Sequence, residues 1–160
     1  MQLIEVKDRR EEKLFIRISE TINRENPNYI PQLHSEIKDV FNPSANKYFK
    51  DGEAIRWILK NKDGVCIGRI AAFVHKKYIN NGTAFPTGCF GFFDCINHQQ
   101  AASILLDAAK NWLKEKGMEE ELNIIACENM VKGTTFLKEN IYEKLNESEK
   151  EYADKYIGFP

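Results

Sequence analysis

The sequence predicts an α+β domain built on a mixed, largely antiparallel sheet flanked by helices, with one β-α-β parallel crossover. Three observations carry this prediction. The stretch Cys89 to Gly117 reads as a buried strand, a short polar turn and an amphipathic helix. Two apolar runs flank Asn61-Lys62-Asp63-Gly64, whose Asp-Gly pair is a hairpin signal. The remaining periodic segments fall in the order β, α, α, a β meander, then β-α-β-α, with a further strand as an option. That order joins an antiparallel part to a parallel crossover, and the junction makes a cleft near the end of the central strand.

Leu3, Ile4 and Val6 suggest a short first strand. Asp8 can cap the helix that follows, with Glu11 and Glu12 in its first turn. Leu14, Phe15, Ile18 and Ile22 give that helix its apolar stripe, and Pro27 should end it near Asn26. After the turn-rich segment from Asn26 to Pro31, a second helix is expected from Gln32 to Phe41. Ser44 to Asp51 reads as polar loop, with Tyr48 and Phe49 tucked against the body. Ala54 to Leu59 and Val65 to Val74 are the two hairpin strands. Asn80-Asn81-Gly82 marks another turn, and Pro86 keeps Thr83 to Phe85 out of any central strand.

Phe90, Phe92, Phe93 and Cys95 define the central strand. Ala101, Ile104, Leu105, Ala108, Ala109, Trp112 and Leu113 form one stripe of the next helix, and Gly117 stands just past its end. Leu122, Ile124, Ile125 and Ala126 suggest a strand, and Val131 to Glu139 a helix. Ile141 to Leu145 reads either as strand or as a continuation of that helix. Asn146 to Lys155 is a solvated helix or loop.

Composition narrows the function classes. A chain of 160 residues fits one domain, and we expect 1–160 to be a single domain. The formal net charge of -1, with scattered Lys and Arg, gives no ground for nucleic-acid or anionic-membrane binding. No apolar run approaches the roughly 20 residues that span a bilayer. The N-terminal stretch lacks an apolar signal core, so a cytoplasmic location is expected. Cys66, Cys89, Cys95 and Cys127 are spaced too irregularly for a zinc motif and read as buried core residues. His34 and His75 have no ligand-spaced partner, so no metal is expected.

Several local patterns resemble the GNAT acyl-CoA N-acyltransferases. Lys60 to Ala72 resembles their second hairpin, with its turn followed by an Ile-Gly pair. Ser103 to Gly117 resembles the helix after their pyrophosphate loop. Asn129 with Phe136 to Tyr142 resembles their last block. Gly91-Phe92-Phe93-Asp94-Cys95 and the Asn26 to Pro31 segment are similar to a GNAT-like subgroup with a Gly-Phe-Phe-Asp/Glu-Cys strand. The likeness covers Glu5 to Ile125 well and the remainder loosely, as in a relative shortened at its C-terminus.

The resemblance implies an acetyl-CoA site whose pantetheine lies where the two parallel strands splay. The phosphate-loop positions fall on Asn97, Gln100 and Ala102, and the candidate cofactor-binding set is Cys95, Asn97, His98, Gln99, Gln100, Ala101, Ala102 and Asn129. Of the loop signature only Ala102 conforms; Gln100 stands where the family has a glycine that admits close approach of backbone to the pyrophosphate. Backbone N–H groups from His98 to Ala101 would still face an anion. Asp94 is the candidate base, with a capping or turn carboxylate as the alternative. His98 is a second titratable group there. The family's acid, a Tyr, aligns with Leu137, so Tyr142 is the candidate acid. Asn129 would bond the pantetheine arm or cap a helix.

The expected activity is transfer of an acetyl group from acetyl-CoA to an unknown primary amine. The alternative is a catalytically degenerate GNAT-fold protein that binds a ligand or partner, and a third reading is a regulatory domain of a longer protein. An uncovered sheet edge would favour a homodimer.

Overall fold

The computed structural model of the chain describes residues 1–76 and 88–118. The chain divides into two units, 1–124 and 125–160, and every described residue belongs to the first. Its elements are β1 (Gln2–Glu5), α1 (Arg9–Ile22), α2 (His34–Val40), β2 (Gly52–Lys60), β3 (Cys66–His75), β4 (Cys89–Cys95) and α3 (Gln99–Glu115). The four strands form one sheet in the order β1-β2-β3-β4, each pair antiparallel. The fold is thus the mixed α/β arrangement expected, with helices packed on an antiparallel sheet. The strand that would complete the parallel crossover lies outside the described residues.

α1 begins where the sequence places it. The Asp8 carboxylate accepts from the amides of Arg10 and Glu11 at 2.8 Å, and Glu11 reaches back to the Asp8 amide at 3.1 Å. This reciprocal capping box satisfies N–H groups that the first turn cannot. The helix stops at Ile22, short of Asn26-Pro27. Asn23 ends it, because both its backbone N–H and its side-chain amide donate to the Ser19 carbonyl.

α2 is shorter than the expected Gln32–Phe41 span. Leu33, two residues past Pro31, is still extended and serves as N-cap without a side-chain bond. The 44–51 segment is not all loop: Lys47–Lys50 make a 3-10 turn capped by the Asn46 side chain. Tyr48 is exposed, its ring edge-on to His75, which corrects the expectation that it tucks into the body. Val65 is also exposed and precedes β3, because the turn extends to it through the Asn61 side chain.

Alternation along the strands divides the core into two layers. On one face Ile58 and Ala71 pack with Phe15 and Ile16 of α1 and with Ile37 and Phe41 from the α2 region. Four rings close this layer: Phe41 lies 5.6 Å from Phe15, 5.7 Å from Phe73 and 5.1 Å from Phe92. The three pairs are edge-on, stacked and tilted respectively, at spacings that suit aromatic contacts. On the other face α3 presents Ala101, Ala102, Leu105, Ala109 and Leu113, all buried. Its stripe is rotated slightly from the expected one; Ala102 is fully covered, while Ile104, Ala108 and Trp112 are half-buried. Gly68 of β3 permits this close approach, since a Cβ there would meet Leu105 Cδ1 at 2.7 Å and the Asp94 carbonyl at 2.9 Å. Gly117 follows the helix at φ 79°, the left-handed end residue that its position suggests.

Candidate functional site

The site is built around an irregularity in β4. On β3 one residue separates Arg69 from Ala71, whereas two separate their partners Asp94 and Gly91 on β4. The extra residue is a bulge, and Phe92 sits in it at φ 52°, a left-handed conformation that a bulky side chain seldom takes. A Cβ on Gly91 would lie 3.6 Å from the Phe73 ring, and the Phe92 ring lies 5.9 Å from Phe15. Two successive residues therefore face α1. Without the bulge, Asp94 would fall opposite Gly68 and point toward α3. With it, Asp94 falls opposite Arg69.

Arg69 is 3% exposed in the middle of the long apolar strand β3. Its Nε donates to Asp94 Oδ2 at 2.7 Å, and its Nη1 donates to the Phe15 carbonyl at 2.9 Å. The guanidinium also lies over Phe15 and Phe92, 5.1 and 5.5 Å from the ring centroids. A buried cation needs a counter-ion and further hydrogen bonds to offset its lost hydration, and these contacts supply both. The second Asp94 oxygen faces the Asn23 amide at the end of α1, at 3.4 Å.

Asp94, expected as a base or as a capping carboxylate, is thus the ion-pair partner of Arg69. It does not cap α3. That cap is His98, whose Nδ1 accepts from the Ala101 amide at 3.4 Å. This bond requires the neutral ring with Nδ1 unprotonated. Next to it, the His98 amide is bonded to the Ile96 carbonyl at 2.7 Å. Of the four amides expected to face an anion, those of His98 and Ala101 are therefore engaged, which leaves Gln99 and Gln100.

Asn97, His98, Gln99 and Gln100 are exposed together at the C-terminal end of β4. Ala101 and Ala102 are buried beneath them, so they offer backbone rather than side chain to any ligand there. Cys95 is half-buried at the strand end. Burial, and after it the Asp94 charge, pushes its thiol up to about 12. The thiolate needed for a nucleophile is therefore absent near neutral pH. Cys66, Cys89 and Cys95 are all half-buried rather than fully enclosed. Cys127, Asn129 and Tyr142 lie outside the described residues. Among the described residues no three His, Cys, Asp or Glu side chains cluster as a metal site would require, and no helix is long and apolar enough to cross a membrane.

Two contacts order the segment beside this strand end. The hydroxyls of Ser19 and Tyr29 are 2.7 Å apart, and His34 pairs with Glu20 at 2.5 Å. Sequence reasoning missed Ser19 and Arg69. For Arg69 a signal existed: a lone arginine in Ile67-Gly68-Arg69-Ile70-Ala71-Ala72, and a lone aspartate in Phe92-Phe93-Asp94-Cys95, each need a partner if their strands are buried.

Comparison with known proteins gives different answers by structure and by sequence. Among solved structures, a GNAT-family acetyltransferase from Staphylococcus aureus Mu50 superposes with a TM-score of 0.51 at 17% identity, over 74% of this chain and 68% of that one. An aminoglycoside 6'-N-acetyltransferase from Acinetobacter haemolyticus superposes with a TM-score of 0.53 at 14% identity, over 100% of this chain and 91% of that one. At these identities the likeness is one of fold, and the fold is that of the GNAT acetyltransferases. In sequence, the family described as mannitol dehydrogenase Rossmann domain matches residues 91–160. The mannitol-1-phosphate 5-dehydrogenase of Lactococcus lactis subsp. lactis (strain IL1403) is 51% identical over 47 residues, which is 29% of this chain and 12% of that protein. The chain thus spans about an eighth of the length of this curated relative. Asn129 and Tyr142 fall in the 91–160 segment.

Proposed function

We propose that the chain is an acyl-CoA-dependent N-acyltransferase that moves an acetyl group from acetyl-CoA to a primary amine. The observation that carries this reading is the bulge at Phe92, in the strand that leads into the N-terminus of α3 in a GNAT fold. It breaks the regular register of β4 against β3 at Phe92, the kind of break a backbone that meets a thioester oxygen would need. The exposed Asn97 to Gln100 loop then lies where the phosphates would sit, against the remaining amides of α3.

In the reaction the amine nitrogen attacks the thioester carbon, the C–S bond breaks, and CoA leaves as thiolate. The amine proton passes to a base or to water, and the thiolate takes up a proton. Asp94 enters as a carboxylate held by Arg69, better suited to positioning than to a free basic role. Asn129, as a ligand of the pantetheine arm, and Tyr142, as the acid, enter through the family resemblance alone. The N-acyl acceptor, the single domain over 1–160, the cytoplasmic location and self-association as a homodimer belong to the same proposal.

A second reading, a GNAT-fold protein that binds a ligand without turnover, is favoured by two observations. His98 already caps α3, and the segment 91–160 that matches another family holds Phe92, Asp94 and the Asn97 to Gln100 loop as well as Asn129 and Tyr142. Thermal unfolding with excess ligand tests the first reading. At about 100 times its dissociation constant, acetyl-CoA should add about 2.7 kcal/mol of stability; an unchanged midpoint would contradict it.

A further inference from the structure

The contacts of Arg69 exceed what a counter-ion for Asp94 requires. One guanidinium bonds the end of β4 through Asp94, bonds α1 through the Phe15 carbonyl, and stacks on the bulged residue Phe92 itself. The bulge and the ion pair depend on each other. The bulge alone brings Asp94 to the α1 face, and there Arg69 fixes the strand on one side of the bulge and the ring of Phe92 within it. A left-handed backbone at a phenylalanine persists only where its surroundings over-determine it.

Resting on the acyl-transfer reading above, we propose that Arg69 is a positioning residue for that reaction: it holds the β4 bulge in the one conformation that aims backbone N–H at the thioester carbonyl oxygen. That oxygen gains negative charge as the C–N bond forms and loses it as the C–S bond breaks, so a donor misplaced there weakens the step without weakening the grip on the rest of CoA. A planar guanidinium can serve Asp94 and the Phe15 carbonyl together while stacking on two rings, whereas an ammonium cannot.

The test uses the full chain with acetyl-CoA labelled with carbon-13 at the thioester carbonyl, wild type beside Arg69→Lys. Titration calorimetry gives the dissociation constant, and the carbonyl resonance of bound ligand reports its polarisation, a readout that needs neither acceptor nor base. The expected result is a downfield shift on binding to wild type, most of it lost in Arg69→Lys, with dissociation constants agreeing within about threefold. Asp94→Asn, which keeps Arg69 and a hydrogen-bonding oxygen, is read in place of Arg69→Lys if near-ultraviolet circular dichroism shows that variant unfolded, and the same partial loss is expected. A variant that binds with the wild-type carbonyl shift overturns the positioning role and leaves the acyl-transfer reading standing. A folded variant that loses binding altogether also overturns it, because the role would then be in the ligand site itself. Failure of the wild type to bind acetyl-CoA overturns both.

Discussion

Arg69 and Asp94 face each other across the β3–β4 ladder, joined at 2.7 Å from Nε to Oδ2, and they do so because a bulge at Phe92 shifts the register of β4 by one residue. The side chains are 4% and 19% exposed, so little water screens them. Removing one partner strands the other in an apolar layer. Asp94→Asn should therefore destabilise the fold by about 3 kcal/mol, read as a lower midpoint in urea at unchanged slope. The double variant Arg69→Met/Asp94→Asn should recover part of that loss. A single variant as stable as wild type would show that the pair is not buried as described.

The Cys95 thiol is held protonated well into the alkaline range. With a thiol pushed up to about 12, against about 8.5 in an unfolded chain, the folded state binds the proton more tightly. Stability from this group is complete below pH ~8.5 and falls as pH rises toward the folded value. Peptide mass mapping after brief iodoacetamide treatment at pH 8 should find Cys95 unmodified in the native protein and alkylated in urea. Rapid native alkylation at Cys95 would contradict its burial.

Much of this was legible in the sequence. The Asp8 cap, the Asp63-Gly64 turn, the β2–β3 hairpin and the α3 stripe closing at Gly117 all follow from local rules, because each depends on residues within a few positions. The bulge was not legible. It is specified by the register of β4 against a strand some twenty residues earlier, and Phe92 carries no glycine-like mark of a left-handed backbone. That omission also hid the site: Asp94 was expected as a free base or cap, whereas its face and its partner are set by the bulge. His98 supplies the α3 cap instead, a role for which Ser, Thr, Asp or Asn would be the usual signal.

The capping box offers a local check on the fold. Asp8→Ala should cost about 1 kcal/mol, since it leaves the amides of Arg10 and Glu11 without their acceptor. Thermal denaturation would register the change, and no loss would place the start of α1 elsewhere.

Gly68 tests the contact between sheet and α3. Gly68→Ala places a methyl 2.7 Å from Leu105 Cδ1 and 2.9 Å from the Asp94 carbonyl. Overpacking of this kind costs about 1–3 kcal/mol. Gly64→Ala, with open space around it but φ 78°, should lose stability from backbone strain alone. In a double-mutant cycle of Gly68→Ala with Leu105→Ala, a combined loss smaller than the sum of the two single losses would identify the clash with Leu105, and an additive loss would argue against it.

Isothermal titration of acetyl-CoA into the purified chain tests the acyl-transfer site most directly. Saturable binding at one site per chain is expected, despite Gln100 in the glycine position and His98 at the cap of α3. Absence of heat at millimolar acetyl-CoA would contradict it, and would leave a GNAT fold without its acyl donor.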